Sequence, residues 1–407
     1  MIPALILLAD IVEQHLEEAV MLASRRMRSV RSSLQSLATL VELDCRIDAH
    51  LDGLLVDAEN AWTLCAATLK FDEAGEVFVG AQVALASGIS EPIQKIVEIA
   101  CSTPHTLPGL ISALGWLPYP RVASLVLSLS VSEIAEHRYV AVAVQALHRV
   151  GGDWVQKALH DKSTLLQARA CRAVGELGRA DLVPQLQVLN QSADEAVVFW
   201  SCWSAALLGD LSAVAALKRF ATAPDYANDA LDVVLRRLPP QAANLWLEEL
   251  AQDEANVRLI MQGAGIVGDP AFVPGLIGML SVPELMRIAA GAFCTITGVN
   301  LVDAKLDAPP PPENDDAPTQ VDPDDDLPWP EPQRVFAWWE KNETRFEPET
   351  RYLLGQPVTP EHLRSVLRHG NQKQRYGAAL ELAMRTPGTP VFETTAPGFL
   401  QQKRLGA

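Results

Sequence analysis

The chain has 407 residues, is 49% hydrophobic but only 6% aromatic, and carries a formal net charge of −17. That length admits a large core or a long array. The acidic balance disfavours a nucleic-acid partner, whose phosphates want a basic face; basic protein partners or plain solubility fit better. The opening MIPALILLADIVEQHLEEAV has neither a basic leader region nor a small-residue cleavage site. It reads as an amphipathic first helix with Leu5, Leu8, Val12, Leu16 and Ala19 on one face. Residues 1–75 are expected to form an N-terminal helical cap unlike the units that follow. No later stretch is apolar for long enough to span a bilayer.

From residue 76 to 302 a short phrase recurs about every thirty residues. A small-residue-rich helical run stops at a glycine, and a second apolar run begins. The clearest copies end at Gly178, Gly209, Gly268 and Gly298, with fainter ones near Gly88, Pro118, Gly151 and Pro239. Glycine tolerates the left-handed conformation that ends a helix, while the Asp181, Asp210 and Asp269-Pro270 that follow suit the first turn of the next. Such a period predicts stacked helix pairs, each burying its apolar face on its neighbours. The fold class expected is an all-α solenoid, with little strand.

Residues 303–333 break the pattern. They hold ten Asp and Glu against one Lys, interleaved with proline, and read as an extended, solvated acidic linker. Order returns over 334–407, first in RVFAWWEKNETRF with Val335, Trp338 and Trp339 as an apolar patch. A last helix pair follows, capped at Thr359 and stopped by Pro387-Gly388.

The helix before each glycine resembles the second helix of a HEAT repeat. That pattern has an apolar residue, then Arg, Ala three positions on, and a Leu-like residue four before the glycine. Met286-Arg287, Ala290 and Cys294 fit it before Gly298; Val257-Arg258 opens it before Gly268; Gln374-Arg375, Ala378 and Leu382 repeat it in the last pair. Before Gly178, Ala170 and Val174 fit but Gln167 replaces the Arg; before Gly209, Val198 replaces it. The order of array, TGVNLVDA, DPDDDLPWPEP, AWW helix, RYLLGQP and RYGAALELAMRTPG is similar to an uncharacterised family of proteobacterial HEAT-repeat proteins, some encoded near type VI secretion components. Members of that family have no established activity, and the resemblance implies an accessory or effector-handling role.

The residues themselves supply no phosphate loop, nucleophile elbow, H-E-x-x-H or C-x-x-C. Six cysteines without paired spacing are expected as buried thiols in a reducing cytoplasm. The eight histidines show no helical ligand spacing, although His137 and His148 could share a face. Asp322, Asp324 and Asp326 imitate a calcium loop that then fails at Leu327 and Gln333. No metal and no cofactor is expected. In HEAT arrays the Arg matched by Arg258, Arg287 and Arg375 bonds a neighbouring repeat's Asp or helix end.

Aligning second helices by their glycines places Arg169 and Arg172 beside Trp200 and Trp203. Arg and Trp three apart on one face, on the concave side such arrays present, make these four the candidate protein-binding hot spot, with tryptophans that fill inter-repeat core as the equal alternative. Expected, then, is a cytoplasmic, non-enzymatic scaffold with protein partners and neither nucleic acid nor membrane. An immunity protein that blocks a toxin is the alternative, with a HEAT-like lyase behind it.

Overall fold

The computed structural model describes residues 2–69, 73–311, 322 and 324–406. Among these are twenty-two α-helices, several short 3-10 turns and one two-stranded pair. The small-residue helices do form, and they stack as helix pairs.

Helix α1 (Ile2–Ser29) packs on α2 (Leu37–Leu55) and on α4 (Ala74–Ser87), with α3 (Ala58–Thr68) beside them. Val12, Leu16 and Ala19 are buried as the apolar face requires, while the side chains of Leu5 and Leu8 lie outside the described residues. Seven further pairs follow. They are α5 (Ser90–Ala100) with α6 (Leu107–Trp116), α7 (Tyr119–Ser130) with α8 (Ala135–Leu147), and α9 (Trp154–Ala158) with α10 (Thr164–Glu176). Next come α11 (Val183–Leu189) with α12 (Glu195–Leu207) and α13 (Leu211–Leu217) with α14 (Ala227–Arg237). The last are α15 (Pro240–Leu250) with α16 (Val257–Val267) and α17 (Val273–Gly278) with α18 (Met286–Thr297). The even-numbered helices from α4 to α18 pack on one another in an unbroken row. Their small residues allow it: Gly175 of α10 donates its N–H to Ser204 Oγ of α12 at 3.1 Å, and that hydroxyl donates to Cys171 O at 2.6 Å.

The repeat glycines cap as expected, with Gly268 and Gly298 left-handed at φ of +76° and +74°. Asp210 and Asp269 each accept from backbone N–H groups of the next helix start. Asp181 departs from this pattern. It sits within a 3-10 turn (Ala180–Leu182) and pairs instead with Arg179 at 2.6 Å.

Beyond α18 the chain turns back along the row. Of the expected linker, residues 312–321 and 323 lie outside the described residues. Its two ends meet: Ala308 N–H donates to Trp329 O at 2.8 Å and Glu331 N–H to Leu306 O at 2.7 Å. Helix α19 (Pro332–Asn342) buries Val335 and Trp339 against the core around Phe293. Strands β1 (Tyr352–Leu353) and β2 (Gln356–Pro357) form a tight hairpin. Then α20 (Pro360–His369), α21 (Gln372–Arg385) and α22 (Gly398–Leu405) complete the return. Helix α21 packs on α12 and α14, and α22 on α2.

This return makes three of the repeat glycines, Gly178, Gly268 and Gly298, contact points as well as caps. A Cβ on Gly268 would stand 2.2 Å from Tyr352 O, and one on Gly298 would stand 2.4 Å from Leu354 O. The backbone there is closely bonded: Tyr352 N–H donates to Gly268 O at 2.8 Å, and Leu354 N–H to Thr295 O at 2.7 Å. At the far end Gln372 N–H donates to Gln35 O at 2.7 Å, and Gly398 N–H to Asp44 Oδ2 at 2.5 Å. The C-terminal segment thus bridges the last pair of the array to the first two helices. Leu363, Val366 and Leu380 share one apolar core with α10, α12 and α14, so the bridge is built into the array.

Candidate functional site

The four residues singled out by register do come together. Glu176, at the end of α10, faces Arg169 Nη1 at 2.9 Å and Arg172 Nε at 2.9 Å. The Arg172 guanidinium lies 4.5 Å from the Trp200 ring centroid, and Trp200 meets Trp203 edge-on at 5.5 Å. Their availability differs from the hot-spot expectation. Arg169 is 9% exposed and Trp203 2%, so these two are packing residues of the α10–α12 contact and not surface anchors. Trp203 lies over Gly175, where a Cβ would come within 2.9 Å of its ring. Arg172 and Trp200 keep partial exposure, but they face the side on which the chain's own α21 packs.

Glu176 was missed by sequence reasoning, although its spacing of four from Arg172 and seven from Arg169 puts all three on one helical face. Burial alone would raise its pKa, yet Arg169, Arg172 and Arg149 outweigh this and hold the carboxyl down at about 2. Arg149 also clamps the returning chain, donating to Val391 O at 3.0 and 2.6 Å and pairing with Glu393 at 3.2 Å.

The HEAT-like arginines behave structurally, with partners drawn from an unexpected source. Arg258 donates to Glu284 O of the following unit at 2.9 Å, and to Asp324 Oδ1 at 2.6 Å. Arg287 bonds Asp324 O and the Asp322 carboxylate. The acidic segment supplies partners to both arginines, and two of the three calcium-loop mimics are occupied by guanidinium groups. Arg375, fully buried, donates to Leu367 O, Gln372 and Gln401 at 2.6–2.7 Å.

Between the row and the returning chain lies a cavity of about 950 Å³. Its walls are α16, α18, residues 322 and 324–328, the β1–β2 hairpin, α21 and the α1–α2 turn. Arg351 spans one wall, holding Glu381 with Nη1 and Nη2 at 2.8 and 3.0 Å and Val267 O with Nε at 3.1 Å. Burial favours a neutral Glu381, but Arg351 and Arg236 lower its pKa and keep it ionised. Cys294 also lines the cavity; burial pushes its thiol up to about 12, so it carries no thiolate for nucleophilic attack.

Three of the histidines are engaged separately. His148 Nε2 meets Leu114 O at 3.0 Å, His362 Nε2 meets Leu353 O at 2.7 Å, and His137 Nδ1 meets Ser132 Oγ at 3.0 Å. Among the described residues no group of three or more His, Cys, Asp or Glu is placed to hold a metal ion. No helix among them is long and apolar enough to cross a membrane.

A family model described as HEAT repeats matches residues 152–236, which run from α9 through α14. No match was found among curated proteins. With the paired helices on either side of the match, the chain is an all-α solenoid in which residues 152–236 match HEAT repeats, an architecture that generally serves protein interaction.

Proposed function

We propose that the protein is a non-enzymatic, protein-binding scaffold of the cytoplasm. The six cysteines are free thiols, as a reducing compartment allows. The observation that carries the reading is a line of exposed apolar side chains along one edge of the array. Val131 (80% exposed), Ile134, Leu165 and Val188 (73%) all lie at or beside the turns where first helices hand over to second helices in three consecutive pairs. Scattered single apolar residues would mean little, but a run repeated from unit to unit offers a partner continuous surface to remove from water. The second-helix face, by contrast, is occupied by the chain's own return. The family resemblance extends this reading to an accessory or effector-handling role beside type VI secretion.

The test is affinity capture from the native host with the wild type, Val131→Glu and Val188→Glu. The proposal expects one partner recovered by the wild type and lost from both variants while their melting temperatures hold. Recovery undiminished by either charge would reject this edge as the binding surface.

A further inference from the structure

Outside the seven repeat pairs, the packing of α1 on α2 brings two histidines together. His15 on α1 and His50 on α2 are 35 residues apart, which is why helical spacing could not pair them. The packing of α1 on α2 brings their Nδ1 atoms to 3.1 Å, with the rings inclined at 67°. Both rings are half-buried, so they are held in place and still reached by solvent. His15 rests against Gly53, where a Cβ would come within 2.7 Å of the ring. The ring's position therefore depends on a missing side chain one turn from its partner.

We propose that His15 and His50 form a binding site for one divalent transition-metal ion of the copper–nickel–zinc group. The distance is the argument. Two nitrogens 3.1 Å apart, each about 2.05 Å from an ion, subtend about 100° at it, between the angles of square-planar and tetrahedral coordination. In the metal-free pair one Nδ1–H donates to the other Nδ1. Replacing that hydrogen bond with the ion moves the proton to Nε2 of the same ring, so each ring keeps one proton and none is released. Imidazole nitrogen selects these metals over magnesium and calcium, which take oxygen. Water completes the shell, because the pair has no third protein ligand among the described residues. The ion would pin α1 to α2 at the end of the array.

The full chain is titrated with Zn²⁺, Cu²⁺ and Mg²⁺ against a chromophoric chelator, as wild type, His15→Gln, His50→Gln and Cys45→Ser. The last removes an exposed thiol that could bind metal by itself. The wild type and Cys45→Ser should each take up one Zn²⁺ or Cu²⁺ per chain and no Mg²⁺. Affinity should fall about tenfold or more in each histidine variant. Paramagnetic resonance of the Cu²⁺ form should show two coordinated nitrogens, a signature that a merely structural role for the histidines would not produce. Should His15→Gln fail to fold, His50→Gln and the copper spectrum decide alone. Zn²⁺ uptake unchanged in His50→Gln, uptake lost with Cys45→Ser, or no uptake by the wild type would each overturn the proposal.

Discussion

Replacing Gly268 with alanine separates the two roles that the repeat glycines combine. At φ of +76° an alanine pays left-handed strain of about 1 kcal/mol. The same change at Gly88, with φ of +67° and nothing within 4 Å of the added Cβ, incurs that strain alone. At Gly268 the methyl would also lie 2.2 Å from Tyr352 O, so the hairpin must lift. Lifting breaks the bond from Tyr352 N–H to Gly268 O and strains those from Leu354 and Gly355 to Thr295 and Ile296. With each such bond contributing about 1 kcal/mol, the excess over Gly88→Ala is about 2 kcal/mol. Hydrogen exchange followed by mass spectrometry reads this locally. Peptides covering residues 350–358 should exchange roughly 30-fold faster in Gly268→Ala than in Gly88→Ala, the ratio that about 2 kcal/mol of local opening implies. Equal protection of that segment in the two variants would refute the claim that the glycine is a docking point for the returning chain.

Two other outcomes follow from the α10–α12 contact. Trp203→Ala should lower folding stability by about 3–5 kcal/mol, seen in chemical denaturation, while the part that remains folded keeps its partner affinity; an unchanged denaturation midpoint would return Trp203 to the surface role. Glu176 has a folded pKa of about 2 against an ordinary 4.5, so its contribution is complete above about pH 4.5 and is lost as pH falls toward 2. That contribution is about 3 kcal/mol, and Glu176→Gln should flatten the fall in stability across this window, whereas an identical slope in both proteins would remove Glu176 from the acid transition.

What the residues disclosed, and what they hid, divides along local and long-range interactions. The caps at Gly268 and Gly298 and the restarts at Asp210 and Asp269 depend on a few neighbouring residues, so they were legible. The meeting of Arg172 with Trp200 was legible too, because the repeat carries register from one unit to the next. Burial of Trp203 was not, since the exposure of a side chain on a second helix depends on Gly175 opposite it and on α21 about 170 residues later. Nor could spacing tell that Asp322 and Asp324 would serve Arg287 and Arg258. Acid among prolines reads as solvated until the guanidinium groups that neutralise it are placed in space. His15 and His50 were hidden for the same reason: their proximity belongs to the packing of two helices and not to either one.

An open solenoid can gain or lose a unit because each repeat touches only its neighbours. Here residues 371–401 are bonded to the first two helices while residues 351–355 are bonded to α16 and α18 in the last two pairs, so the segment between them has a fixed span to cross. The number of repeats is thereby tied to the length of the return. A duplication or deletion of one helix pair, the usual way such arrays drift in length, would leave this chain with a bridge that no longer reaches both ends. The architecture behaves as a belt with a buckle, and its circumference is set by the strap.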